Sequence, residues 1–531
     1  MSREDLISLM KIVQEQTKKK DTEIQLLKDK QKELEFLNAM LSDRLTLAQR
    51  KQFGASSEKY AEGYEQMNLF NEAEASADAE TEELFEEIRP SSYKRKKRKG
   101  KKEEDLSNFE TVETRTYKLE GETRYCPECG KKYNVVTKET VKRLRFVPAK
   151  FEVEEEITYV YSCPKCGSMK RPEKEPSLIR GSIATPSLVA GIMNAKYVNG
   201  MPLVRQEREF ARYDLDLSTK TMANWIINCA DRYLKPLYQL MKEQLLESRY
   251  IHCDESRIQV LGEPDQKGTT QNWMWVYLTD EFSGSPQMVL FDYERTRAGY
   301  HPVNFLGDRF RGYLTCDGYQ AYHSLGEGII VSGCLTHARR RFDAALTALK
   351  KDFTKEQLKE TVAYQAMSRI GILYKIEEML HNKTPEEKYE ERQKQSRPVM
   401  DAMFEWLHTM EDSVDRSSLI GDAILYTLNQ EVYLRRYLED GHLSIDNNSA
   451  ERALKNFAVG RRNWLFAKSV RGADASALVY SITETALLNH LKPYTYLTYI
   501  LDELRKMGAF PKEEELKKLL PWSEDLPEYC R

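Results

Sequence analysis

The sequence predicts a multidomain α/β protein, and three observations carry that reading. At 531 residues the chain exceeds what one core accommodates, since compact domains run to roughly 100–200 residues. Its hydrophobic pattern changes period several times, from heptads to strand-like alternation to helical spacing and back to strands. Two Cys-X-X-Cys-Gly sequences, far apart, sit between the heptads and the helical stretch.

The N-terminal element is a predicted coiled coil over residues 1–52. Positions spaced alternately four and three apart run from Leu6 to Ala48, and nine of the thirteen are apolar. That period of 3.5 predicts self-association into a homo-oligomer, with Asn38 setting the register; a solitary amphipathic helix is the alternative. Residues 53–104 read as a linker with too few apolar residues for a core. Eight acidic residues lie between Glu72 and Glu87, whereas eight of the nine residues from Lys94 to Lys102 are Lys or Arg. The net charge of −3 therefore conceals a basic segment able to meet several phosphates, although such runs also occur as solvated tails.

Residues 105–180 carry Cys126, Cys129, Cys163 and Cys166, each pair followed by glycine. Two thiolates two residues apart share one ion, and two such pairs complete a tetrahedral structural Zn2+ site with no open position. The alternating stretch Phe146–Cys163 between them suits strands, so a zinc ribbon is expected. Residues 181–248 then read as helices, with a turn around Asp214–Leu217 and a second helix capped by Ser218 or Thr219. In a helix-turn-helix, Thr219, Lys220, Asn224 and Trp225 would enter a DNA major groove; an ordinary helical hairpin fits the pattern equally.

Beyond Arg249 come three strand-like runs, a short helical stretch near Thr296–Leu306, a fourth strand ending at Asp317, and a fifth leading into a helix. This order is that of a ribonuclease H-like fold, in which the first and fourth strands are neighbours. Asp254, at the expected end of the first, would then face Asp317. Two carboxylates so placed can hold hard divalent cations that activate an attacking oxygen and stabilise a leaving one. A third acid is offered by Glu451 at the start of a helix capped within Asp446–Ser449. On spacing alone these acids could equally be turn and surface residues, and Glu255, Asp292, Asp343, Asp446 and Glu484 compete for each place. Cys334 with His337 supplies too few ligands for a metal site. The core is read as residues 249–343 and 441–490, interrupted by a helical insertion over 344–440 and followed by a C-terminal helical segment, 491–531.

Taken together these motifs resemble the insertion sequence 66 family of bacterial transposases, nearly end to end. The resemblance rests on Phe53-Gly54 with Ser56–Lys59, the paired cysteines, Cys253–Glu255, Asp317–Tyr322, and Gly333-Cys334 with His337 and Arg339-Arg340. It continues through Asp446–Leu454 and the segment Tyr480–Leu504. Ser256-Arg257 departs from the Thr-Pro expected after the first acid. The resemblance implies a catalytic core whose Mg2+ (or Mn2+) ligands are Asp254, Asp317 and Glu451. It implies cleavage at terminal inverted repeats and joining to target DNA, with small accessory proteins of the element as further partners. Lys220, Asn224, Arg339, Arg340, Arg461 and Arg462 are the expected DNA contacts. A DNA-binding regulator, or a nuclease that cuts without joining, would use parts of the same chain. Hydrophobic residues make up 40% and no apolar run approaches the roughly 18 residues of a membrane span, so no membrane is expected. Charge interrupts the apolar N-terminus, which predicts a cytoplasmic location.

Overall fold

The computed structural model describes residues 150–162, 164, 169–265, 270–508 and 510–531, with 128 and 131. The coiled coil, the linker and the four cysteines of the zinc site lie outside the described residues. The chain divides into two compact units, one of residues 89–172 and one holding residues 173–531. In the first, Tyr161–Ser162 pairs antiparallel with Met169–Lys170 across the second Cys-X-X-Cys. Residues 151–160, expected as strand, join no ladder among the described residues, and Val153 and Ile157 stand 91% and 73% exposed.

The larger unit is a mixed α/β structure. Thr185 caps α1 (Pro186–Met193) by accepting from the Leu188 amide, and proline occupies the first turn, where no amide partner is needed. The pair α2 (Leu203–Ala211) and α3 (Thr219–Cys229) follows, joined through Asp214 at φ 58°. Ser218 is the N-cap of α3, accepting from Thr221. A π-turn at Ala230–Leu234 continues α3 into α4 (Lys235–Leu245).

The sheet contains β1 (Tyr250–Gln259), β2 (Gln271–Thr279), β3 (Met288–Glu294), β4 (Gly312–Thr315) and β5 (Ile329–Ser332). Its order is β3-β2-β1-β4-β5. The first three strands form an antiparallel meander, and β4 and β5 join in parallel beside β1. The crossover from β3 to β4 contains α5 (Tyr300–Leu306), whose Phe305 stacks on Tyr277 of β2 at 3.7 Å. After β5 comes α6 (Leu335–Leu349), then six helices: α7 (Lys355–Glu360), α8 (Val362–Leu380), α9 (Pro385–Glu391), α10 (Arg397–Glu411), α11 (Leu419–Asn429) and α12 (Glu431–Arg435). These have their own core, where Ile370, Leu373, Met403, Phe404 and Ile424 meet Leu335 and Phe342 of α6.

The chain returns to the sheet as α13 (Asn448–Trp464) and α14 (Val470–Leu488), and closes with α15 (Pro493–Met507) and α16 (Glu513–Lys517). Helix α14 covers the edge strand β3 with hydrogen bonds as well as apolar area. The amides of Val289 and Phe291 donate to Thr485 and Ser481, one helical turn apart, at 3.0 and 2.8 Å. An edge that would otherwise leave backbone donors open to another chain is thereby satisfied.

Candidate active site

Three segments far apart in sequence converge at one end of β1. The parallel ladder of β1 and β4 ends at the pair His252 and Thr315, and Asp254 and Asp317 each lie two residues further on. Shared register therefore sets the two carboxylates level with one another. Contrary to expectation, Asp254 does not end its strand. β1 runs on to Gln259 because β2 pairs with it as far as Gln259–Gln271, and Ile258 and Val260 are buried there.

Helix α13 brings the third acid. Asp254, Val276 and Phe291 form one cross-strand row, and Phe291 meets Phe457 of α13 with ring centroids 6.2 Å apart. Ala450, Ala453, Leu454 and Phe457 bury the inner face of α13, which leaves Glu451 in its first turn beside the acids. Burial first, then Glu255, Asp317 and Glu451, push the Asp254 carboxyl well above the usual carboxylate range. A carboxyl whose ionisation its acidic neighbours oppose in this way is suited to a divalent cation, which relieves that repulsion through the oxygen ligands it prefers.

Two arginines flank the acids. Arg340 of α6 grips Glu451 with both terminal nitrogens, at 3.0 and 2.5 Å. Arg297 donates from Nε to the fully buried Glu255 and places Nη2 3.7 Å from Asp317. Its guanidinium lies 3.8 Å over the Tyr319 ring, while the Tyr319 amide donates to Asp317 at 2.9 Å. Glu255 also accepts from Tyr322; burial and then Asp317 nevertheless raise its pKa to about 7. The sequence pattern did not single out Arg297, and it held Tyr319 and Tyr322 only as members of the Asp317–Tyr322 motif, with no role of their own.

The helix start departs from expectation. Asn447 occupies the N-cap of α13, yet its side chain makes no cap bond. Its Nδ2 donates to the Cys253 carbonyl at 2.8 Å, which fixes the amide so that Oδ1 faces His252 Nδ1 at 3.0 Å. His252 Nε2 lies 3.1 Å from Asp280, so both ring nitrogens meet oxygen acceptors. Burial lowers the His252 pKa, but Asp280 and then Asn447 outweigh it and the net shift is upward.

Cys334, His337 and Glu451 place one donor atom each within 4.8 Å of one another, so Glu451 gives that pair a third potential ligand. Nδ1 of His337 is buried without a hydrogen-bond partner, and burial pushes the ring's pKa down. Of the competing acids, Glu255 stays beside Asp254 and Asp317, held by Arg297 and Tyr322. Asp292 shares a cross-strand row with Trp275 and Glu255, on the face opposite Asp254. Asp446 accepts from the Asn448 amide, Asp343 lies on α6, and Glu484 on α14 is held by Asn456.

Among the expected DNA contacts, Lys220 and Asn224 are exposed one turn apart on α3, whereas Trp225 is 6% exposed and belongs to the core. Arg339 is exposed with its guanidinium 5.5 Å over Tyr374, Arg461 donates to the Arg257 carbonyl, and Arg462 is exposed near the end of α13.

Residues 181–475, more than half the chain and including all three acids, match the family described as Transposase IS66 family. The chain belongs to the IS66 transposase family. Residues 123–167, which hold all four paired cysteines, match the zinc-finger binding domain of transposase IS66. Residues 40–108 match Transposase C of IS166 homeodomain. Two proteins of Sinorhizobium fredii (strain NBRC 101917 / NGR234) are similar over most of their length. The uncharacterized protein y4hP is 30% identical over 412 residues, 75% of this chain and 73% of its own. The uncharacterized protein y4jD is 29% identical over 418 residues, 76% of this chain and 79% of its own. This IS66 protein is thus a DDE-type transposase of an insertion sequence, with DNA-binding and catalytic regions, and its class of chemistry uses divalent metal. No described helix is long and apolar enough to cross a membrane.

Proposed function

We infer that Asp254, Asp317 and Glu451 are the catalytic carboxylates, that the sheet with α13 is a ribonuclease H-like core, and that the metal is magnesium. The observation that carries this reading is the convergence of the three acids from two parallel strands and a returning helix. Magnesium held there would supply the positive charge that activates the attacking oxygen and stabilises the leaving one. The chain's own residues do the rest. β1 and β4 hold Asp254 and Asp317 in register, α13 brings Glu451 across the sheet, and Arg297 and Arg340 orient the second and third acids. The reaction is hydrolysis at the terminal inverted repeats, freeing 3′-hydroxyls that attack target DNA. Lys220, Asn224, Arg339, Arg340, Arg461 and Arg462 contact DNA in this reading. The four cysteines hold structural zinc, the N-terminal heptads join copies of the chain, and small accessory proteins of the element assist in the cytoplasm.

Asp254→Asn, Asp317→Asn and Glu451→Gln test the assignment, since each removes a ligand charge with little change of shape. Each should lower cleavage by at least about 100-fold in magnesium, on the scale of losing one preorganised electrostatic group. Binding of the element ends should stay within a few fold, because affinity rests on cationic contacts to phosphate. Asp292→Asn, on the opposite face, should cleave normally. Normal cleavage by any of the three variants removes that residue from the set.

A further inference from the structure

The outward face of α13 carries more than Arg462, the one residue on it that the proposed function assigns to DNA. Arg452, Lys455, Val459 and Arg462 are exposed along it at helical spacing, and Glu451 is the only acid in the helix. The stripe is therefore basic from the candidate catalytic acid to the far end of the helix. There the chain does something costly. Leu465 has φ 61° and ψ −44°, and the Phe466 amide donates back to the Trp464 carbonyl at 2.7 Å. This is a γ-turn of the rare, strained hand, with a branched residue where glycine would sit at ease. Leu465 is 65% and Phe466 37% exposed. The turn is clamped by Ala467, whose amide donates to Gln259 at 2.9 Å and whose carbonyl accepts from Leu261 at 3.0 Å. Exposed Lys468 follows. Strain that tertiary hydrogen bonds hold in place at an exposed apolar tip points to use.

We propose that duplex DNA lies along the outer face of α13 during cleavage and that Leu465 and Phe466 enter its base stack. The occupant follows from chemistry. Arg452, Lys455, Arg462 and Lys468 suit a row of phosphates, and an apolar tip between cations is how proteins wedge between base pairs. A second protein copy would bring acids or apolar area to meet the stripe, and the stripe offers only Val459 as apolar area before the tip. The distance is also set. Fourteen residues of helix separate Glu451 from Leu465, about 21 Å at 1.5 Å per residue. At 3.4 Å per base pair the tip meets the duplex roughly six base pairs from the cut. The proposal rests on Glu451 marking the cleavage site.

The full chain is bound, in calcium, to a duplex carrying the element's end, with 2-aminopurine placed singly over about one helical turn from the cut. Fluorescence should rise several-fold only near the sixth base pair. Leu465→Gly with Phe466→Ser should abolish that rise while end affinity changes less than about threefold; glycine relieves the positive φ, so the variant keeps the fold. Arg452→Ala, Lys455→Ala and Arg462→Ala together should flatten the dependence of log affinity on log salt by about 2.7, or 0.9 for each phosphate contact. Bound DNA that stays stacked throughout, a rise that survives in the Leu465 and Phe466 variant, or an unchanged salt slope would each overturn the proposal. The enzymatic reading fails separately, by absence of cutting in magnesium from a complex that still unstacks its DNA.

Discussion

Asn447 offers the sharpest test of how the site is built. It is completely buried and stands one residue before α13, yet its side chain serves β1 rather than the helix. Asn447→Ala removes the donor to the Cys253 carbonyl at 2.8 Å and the acceptor of His252 Nδ1 at 3.0 Å. The groups left behind are buried, so each carries the desolvation cost of an unsatisfied polar atom, about 1–3 kcal/mol. His252 keeps Asp280 as its other partner, which favours the low end for that half. The expected loss is about 2–4 kcal/mol in urea denaturation followed by tryptophan fluorescence. Asn448→Ala, whose amide side chain only turns back to Asp446, should cost less than about 1 kcal/mol. Because Asn447 ties the start of α13 to the strand bearing Asp254, cleavage should fall by more than end binding does. A loss below about 1 kcal/mol, or full cleavage by a folded Asn447→Ala chain, would show that α13 is placed by its apolar face alone.

Two further outcomes follow from residues away from the acids. Burial pushes the Glu484 carboxyl up to about 7 against two hydrogen bonds from Asn456. The native state then holds a proton that the unfolded chain releases, so this group lowers stability as pH rises from about 4.5 to 7, by up to about 3 kcal/mol. Glu484→Gln should therefore stabilise the core at about pH 8 and change little near pH 4.5; an effect equal at both values contradicts the assignment. Cys126→Ser and Cys163→Ser should each release one zinc per chain by elemental analysis and weaken end binding, and a native chain purified without zinc would refute the site.

Local pattern determined much of this protein. Alternation marked the strands of the sheet in order, Ser218 could be read as a helix cap, and the glycine-followed cysteine pairs stood out by type and spacing, whereas Asp254, Asp317 and Glu451 were chosen among competing acids only by the family resemblance. Each of these signals lies within a few residues, where backbone sterics and side-chain period act directly. Tertiary structure decided the partners. Arg340 meets Glu451 across 111 residues and His252 meets Asn447 across 195, and no local rule selects one arginine of Arg339–Arg341 or turns an N-cap asparagine away from its own helix. Trp225 has the outline of a groove-reading residue but is drawn into the core by packing around α3. Asp254 has the look of a strand end, but pairing with β2 carries β1 past it. The sequence determined which side chains could do chemistry; sheet register and helix docking, sums of many weak contacts between distant segments, decided which of them meet.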